Sequence, residues 1–414
     1  MLVDFAVIGA GVVGLSAAYH LKRLEPGARV VVLERASRPC MGNSGRSAAL
    51  YRNLFLSGVS RDLAESSIAQ YEEIAGAIAL KDIGYLWHFD EASWRRLGDG
   101  TAMLARLAAG VELLTGDALR RASAMEPTGG YPPAAGAVLG RRCGALSAQA
   151  LAGWYAERFA ELGGRIETGA RVADFELQAT RPPELPGRIE SAVLADGRRV
   201  AAGTFIAAAG CWLQDLLGPL GLASAVYPKK RQLFAFELDE PALIYGGEGA
   251  GRPATILPYG GVYLKPVLER GLMVAGRADE LGRPFELPYG PVEPGAGRPA
   301  AEEDYFRTAL EPILRAYFPA LARRYPDGLR LKQAWAGHYD YHLPDKNPVL
   351  ERAANLWWLG GSSGSGIMKA DGLGRAAAAA AIGRDEVDLA DGRRFRPARL
   401  SLRSRGVDAE GMVI

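Results

Sequence analysis

Short apolar runs stand at residues 5–8 (FAVI), 30–33 (VVVL, within ARVVVLE at 28–34) and 356–359 (LWWL). Runs of this length without polar alternation predict strands covered on both faces, as parallel strands are in α/β proteins. Between the first two, LSAAYHLKRL sets Leu15, Ala18 and Leu21 on one helix face. Residues 147–162 repeat the helical spacing with Leu151, Tyr155, Phe159 and Leu162. Residues 86–89 and 165–168 read as further strands, and 189–200 as a hairpin turning at Asp196-Gly197. Segments 227–237 and 261–276 mix apolar and charged positions, as antiparallel strands do, the second turning near Glu269 to Gly271. Near the end, residues 360–366 form a glycine- and serine-rich turn, and an alanine-rich helix follows over 367–382. The Gly/Pro-rich stretch 280–300 reads as a long loop.

Composition narrows the class. The 414 residues are 49% hydrophobic with a formal net charge of +2, which fits a globular protein and gives nucleic acid nothing to bind. Three scattered cysteines and four histidines form no metal-ligand spacing, so no metal is expected. The apolar runs fall well short of the roughly 20 residues of a membrane span. The N-terminus MLVDFAVIGAG lacks the charged and apolar regions of a signal peptide, and a cytoplasmic protein is expected.

The candidate chemistry begins at Gly9-Ala-Gly11-Val12-Val13-Gly14, set between the first strand and the first helix. Gly9 makes the tight turn, Gly11 leaves room for a pyrophosphate, and Gly14 lets helix and strand pack closely. The helix N-terminus offers free amides to phosphate. Glu34 ends the second strand 20 positions after Gly14, in reach of ribose hydroxyls, with Arg35 next to it. Strand, fingerprint, helix, strand and acid together predict dinucleotide binding. A polar small-residue loop follows, with Ser44, Arg46 and Ser47, where an NAD domain would continue into its next crossover helix.

At this loop the chain resembles the D-amino acid oxidase superfamily of FAD-dependent oxidoreductases, which includes glycine oxidase and monomeric sarcosine oxidase. The resemblance extends over nearly the whole chain, with its most specific motifs at the two ends. It implies a mixed α/β fold, with a Rossmann-like FAD-binding domain and a substrate domain built on a large antiparallel sheet. The parts expected are 1–84, 145–220 and 331–414 for the cofactor domain, and 85–144 and 221–330 for the substrate domain. It further implies that the Val172 backbone meets the adenine and that Ala209, Gly210 and Trp212 lie near the pyrophosphate. Trp212 reads equally well as core packing. In the family a Gly-x-Ser-Gly-His-Gly turn closes over the flavin. Gly361, Ser363, Gly364, Ser365, Gly366, Ile367 and Met368 stand there in this chain, with Ser365 at the histidine position and Asp371 where proline is common. The backbone role should survive both changes. Cysteine before the last turn and histidine in the N-terminal loop are missing, so FAD is expected to be held non-covalently.

For the substrate, the glycine oxidase branch holds a carboxylate with an arginine after Trp-Ala-Gly. Tyr339 takes that place here, after Trp335-Ala-Gly337-His338. Remaining candidates to meet a substrate are Arg52, Arg231 and Lys265, the last also for dioxygen reactivity. His338 reads as pocket-lining and His342 as held by local hydrogen bonds. These features imply oxidation of a small amine or amino acid, most simply a secondary amine or N-substituted amino acid, by an oxidase or a dehydrogenase. A protein electron acceptor or a homo-oligomer is compatible with this. The segment GHYDYHLPDKNPVLE is similar to a mitochondrial FAD-dependent protein of complex I assembly, which leaves open an FAD-holding assembly or interaction factor. A plain NAD(P) dehydrogenase would leave the second glycine turn without a purpose.

Overall fold

The computed structural model describes residues 1–178, 187–245, 251–278 and 301–413. The loop expected over 280–300 lies outside them. Strand β1 (Leu2–Ile8), helix α1 (Val12–Leu24) and strand β2 (Val30–Leu33) form the expected opening unit. β1 lies in an eight-stranded sheet, parallel to β2 on one side and to Arg199–Ala207 on the other. Leu356–Gly360 and Arg165–Glu167 extend the parallel set, and the hairpin of Ile189–Leu194 with Arg199–Ala207 turns at Gly197 as its φ of +85° requires. Ile8 pairs with Leu33 and Ala207, and Ala207 with Trp358. The carboxyl ends of these strands therefore share one edge, where open α/β sheets bind their ligands.

The second sheet also has eight strands, all antiparallel except that Ala254–Ile256 runs parallel to Tyr85–Phe89. Its edge is Leu331–His342, paired with Val226–Glu237 from Val226↔His342 to Phe236↔Leu331. The sequence reading put this stretch at the start of the last cofactor-domain part. By pairing it belongs to the second sheet, and its end reaches back to the first.

The helix Gly366–Ala381 packs between α1 and α2 (Gly58–Glu73). Its small residues permit this approach. A Cβ on Gly374 would lie 2.1 Å from Ser16 Oγ, and one on Gly372 only 3.0 Å from the Leu63 backbone. Asp371 is buried on this helix. It accepts a hydrogen bond from Tyr155 (3.1 Å) and from Arg375 (2.6 Å) and pairs with His20 (2.8 Å). These partners offset the cost of burying its charge and hold its carboxyl below the usual range despite that burial. Among the described residues no helix is long and apolar enough to cross a membrane.

Candidate active site

The first glycine turn has the geometry its sequence requires. Gly9 has φ +108°, and a Cβ there would lie 2.6 Å from Ala208 O; one on Gly14 would lie 2.0 Å from Gly9 O. Gly11 meets only Ser44 Oγ, at 3.2 Å. α1 begins without a side-chain cap, so the amides of its first turn, including Val13, stay available, while Val12 N–H points to Ser44 Oγ at 3.3 Å. Arg46 and Ser47 continue the loop, and the Trp335 indole donates to Arg46 O at 2.8 Å. Glu34 is locked from behind: Ala10 N–H and Ala36 N–H each donate to one of its oxygens at 2.8 Å. Each oxygen keeps further acceptor capacity for ribose hydroxyls.

Beyond Ala209, a Cβ on Gly210 (φ +58°) would meet nothing within 4 Å. The Arg35 guanidinium lies over the Trp212 ring at 3.7 Å, and Trp212 Nε1 is buried without a partner among the described residues. The Val172 side chain is part of the core under the sheet, beside Val31 and Leu33.

The second turn is held by the strand Leu331–His342. Asp340 accepts from Ser362 N–H at 3.0 Å and from Ser362 Oγ at 2.6 Å, and its carbonyl accepts Ser363 N–H at 3.0 Å. Burial pushes the Asp340 carboxyl upward, against the pull of these donors. His342 N–H donates to Ser363 Oγ at 3.0 Å. Ser363 (φ +50°) and Gly364 (φ +86°) bend the chain so sharply that a Cβ on Gly364 would fall 2.2 Å from the Tyr339 ring. Ser365 points back to the Ser362 carbonyl rather than capping the helix, so the amides of Gly366, Ile367 and Met368 start it uncapped. A Cβ on Gly366 would lie 3.9 Å from the Val13 side chain. The two turns, over 350 positions apart in sequence, therefore meet.

Strand register sorts the substrate candidates. Lys265, Arg231, Tyr339, Tyr263 and Trp335 share one face of the second sheet. Lys265 borders a cavity of about 720 Å³ against residues 45–49, where its Nζ donates to Ala48 O at 2.5 Å. Burial lowers its pKa to about 8. The Arg231 guanidinium sits 5.3 Å over the Tyr339 ring, 5% exposed, with Nε unpartnered among the described residues. Burial raises the Tyr339 hydroxyl above its usual range.

His338 faces the other way, whereas Arg52 reaches the shared face from a loop. His338 alternates to the opposite face with Lys230, and burial, aided by Arg46 and Lys230, lowers its pKa to about 4. Arg52 is buried and donates to the carbonyls of Leu54 and Met412, with its guanidinium 4.1 Å over Phe55, 5.1 Å over Trp87 and 5.8 Å over Tyr85, the last two on the face of Tyr263. Its contacts tie the N-terminal loop to the C-terminal segment, where Glu410 in turn accepts from Ser57 N–H at 2.8 Å. Arg52→Ala is expected to lose about 1–3 kcal/mol of stability by stranding those carbonyls, with the KM of any flavin-reducing substrate unchanged. Urea melts beside steady-state kinetics check this; a raised KM at unchanged stability would return Arg52 to the substrate.

The sequence reading missed Lys369 in the first turn of the helix Gly366–Ala381. It is fully buried, donates to Ser60 Oγ at 2.7 Å and lies 4.2 Å over the Phe55 ring. Burial lowers its pKa to about 7. The available signal was a lysine, two positions before Asp371, in the otherwise small and apolar stretch GIMKADGLG. His342 is buried and bonded to Asp345, which also pairs with Arg405.

Two uncapped helix starts, each behind a glycine turn and both on one sheet edge with Glu34, define a flavin dinucleotide-binding protein. The unfilled space at Gly210 and the orphaned Trp212 Nε1 fit that ligand. A model of the FAD dependent oxidoreductase family (DAO) matches residues 4–380, and the chain belongs to that family. It is an FAD-dependent oxidoreductase. FAD-dependent oxidoreductase domain-containing protein 1 of Bos taurus is 24% identical over 419 residues, 91% of this chain and 80% of its own. L-proline dehydrogenase from P. horikoshii has the same fold, with a TM-score of 0.74 at 19% identity over 96% of this chain and 97% of its own. Glycine oxidase from Bacillus cereus superposes with a TM-score of 0.68 at 20% identity, over 94% and 98%.

Proposed function

We propose that the protein oxidises the C–N bond of a small secondary amine or N-substituted amino acid, with non-covalently held FAD. The observation that carries this reading is the gathering of Lys265, Arg231 and Tyr339 on the sheet face that meets both residues 45–49 and the second glycine turn. FAD held by the two glycine turns would supply the two-electron acceptor for this oxidation. The side chains then have to orient the substrate and balance charge. Arg231 offers a buried fork to a carboxylate. Tyr339, neutral at physiological pH, donates one hydrogen bond in place of the arginine that glycine oxidase-like enzymes use. The uncapped amides and helix dipole at Gly366 stabilise negative charge that develops beside them.

The test is anaerobic titration of the holoprotein with N-methylglycine, proline and D- and L-amino acids. Bleaching of the flavin band by a secondary amine is expected. No bleaching by any compound would overturn this reading and favour the FAD-holding interaction factor, which the name of the Bos taurus relative leaves open.

Lys265 gives a pH prediction. It is cationic below about pH 8 and neutral above it. Apparent affinity for a carboxylate substrate is expected to fall as pH rises from 7 to 9, and Lys265→Met is expected to flatten that profile. A parent and variant with the same slope would remove Lys265 from the site.

A further inference from the structure

A second concavity of about 1610 Å³ lies far from the flavin turns. It opens at the C-terminal end of α1, between Leu350–Trp357 and the segment 383–403. α1 has 13 residues, so about 20 Å of helix separates this cleft from the first glycine turn. Seven arginines and four acidic residues line it, and no lysine does.

The pairing within it is uneven. Arg394 and Arg396 bond to Glu386, and Arg375 reaches inward to Asp371. Glu351 is occupied by Ser401 Oγ and Leu402 N–H. Arg23, Arg352, Arg384 and Arg403 are exposed and form no ion pair among the described residues. Arg352 lies 5.4 Å over the half-buried Trp357 ring, which forms part of the floor.

We propose that this cleft docks an acidic polypeptide segment of a partner protein. Unpaired guanidiniums match carboxylates as two-pronged donors, which ammonium groups do not. Tryptophan and arginine are the residues that most often anchor protein interfaces. The volume exceeds the roughly 300–1,000 Å³ usual for small-molecule sites, which favours a chain segment over a metabolite. Its distance from the flavin turns lets a partner sit there with the catalytic face free. The inference stands on the cleft alone and does not depend on the substrate proposed above.

The test uses FAD-loaded protein and a fluorescently labelled oligoglutamate, followed by anisotropy at low salt. Saturable binding that weakens as salt rises is expected. Reversing Arg23, Arg352, Arg384 and Arg403 to glutamate should weaken it at least tenfold and leave the flavin spectrum unchanged. Reversing the exposed Arg95, Arg106, Arg120 and Arg121 on other elements should cost far less. Equal losses in the two sets would overturn the proposal, because the attraction would then be only net charge. Absence of saturable binding would overturn it as well. Displacement by ATP or pyrophosphate at concentrations far below those of unlabelled oligoglutamate would overturn it in favour of a phosphate ligand.

Discussion

Gly364→Ala is expected to weaken FAD binding about a hundredfold. Two costs add at this position. Its φ of +86° lies in the left-handed region, where a Cβ costs about 1–2 kcal/mol. That Cβ would also fall 2.2 Å from Tyr339 Cε2 and 2.8 Å from Cζ, and overpacking of a buried ring costs about 1–3 kcal/mol. A total of about 3 kcal/mol corresponds to roughly two decades in affinity. The turn gives way before the sheet does, because Asp340 and Ser362 hold only one side of it. Tyr339→Ala in the same chain removes the ring but not the backbone strain, so the double variant should regain about half of the loss. Flavin fluorescence titration of the apoproteins measures both. Unchanged affinity in Gly364→Ala would mean that the second turn does not touch the cofactor.

Lys369→Met is expected to stabilise the protein at neutral pH and to remove part of its pH dependence. An unfolded lysine keeps its proton to about 10.5, whereas burial lowers the folded value to about 7. Between those values the unfolded chain binds more protons, so stability rises with pH across the window. Below about pH 7 the penalty is fully present, amounting to about 5 kcal/mol at most; above about 10.5 it vanishes. Methionine keeps the stem over Phe55 and loses the bond to Ser60 Oγ, which still has Asn347 as a partner. The gain in the variant should therefore be largest near pH 6 and shrink steadily towards pH 10. Lys265 adds a slope of the same sign above about pH 8, but in both proteins, so it cancels in the difference. Urea melts of the holoproteins at several pH values provide the readout. A constant difference between parent and variant would show that Lys369 does not titrate in this range.

Local signals account for the cofactor half of the site. The strands flanking Gly9 and Glu34 show as unbroken apolar runs because they are buried on both faces. The glycines stand out because their positions admit no Cβ, as Gly9 against Ala208 and Gly14 against Gly9 demonstrate. The second turn was also legible, and so was the helix after it, which begins one residue earlier than its pattern suggests. The substrate half was harder to read. Arg52, Arg231 and Lys265 look alike in sequence as isolated cations near apolar strands. Their difference lies in what the folded chain brings to them: two backbone carbonyls, a tyrosine ring and a loop carbonyl.

The sequence by itself determined the parallel unit, both glycine turns and the acid between them, because short-range sterics and periodicity write these features into neighbouring residues. Only the tertiary structure decided that the turns meet at Val13 and Gly366, that Asp340 crosses from the second sheet to hold Ser362, and that Tyr339 and His338 face opposite ways. The reason is that these arrangements depend on strand order and register between segments hundreds of residues apart. No local pattern carries that information, and it is fixed by packing the whole chain at once.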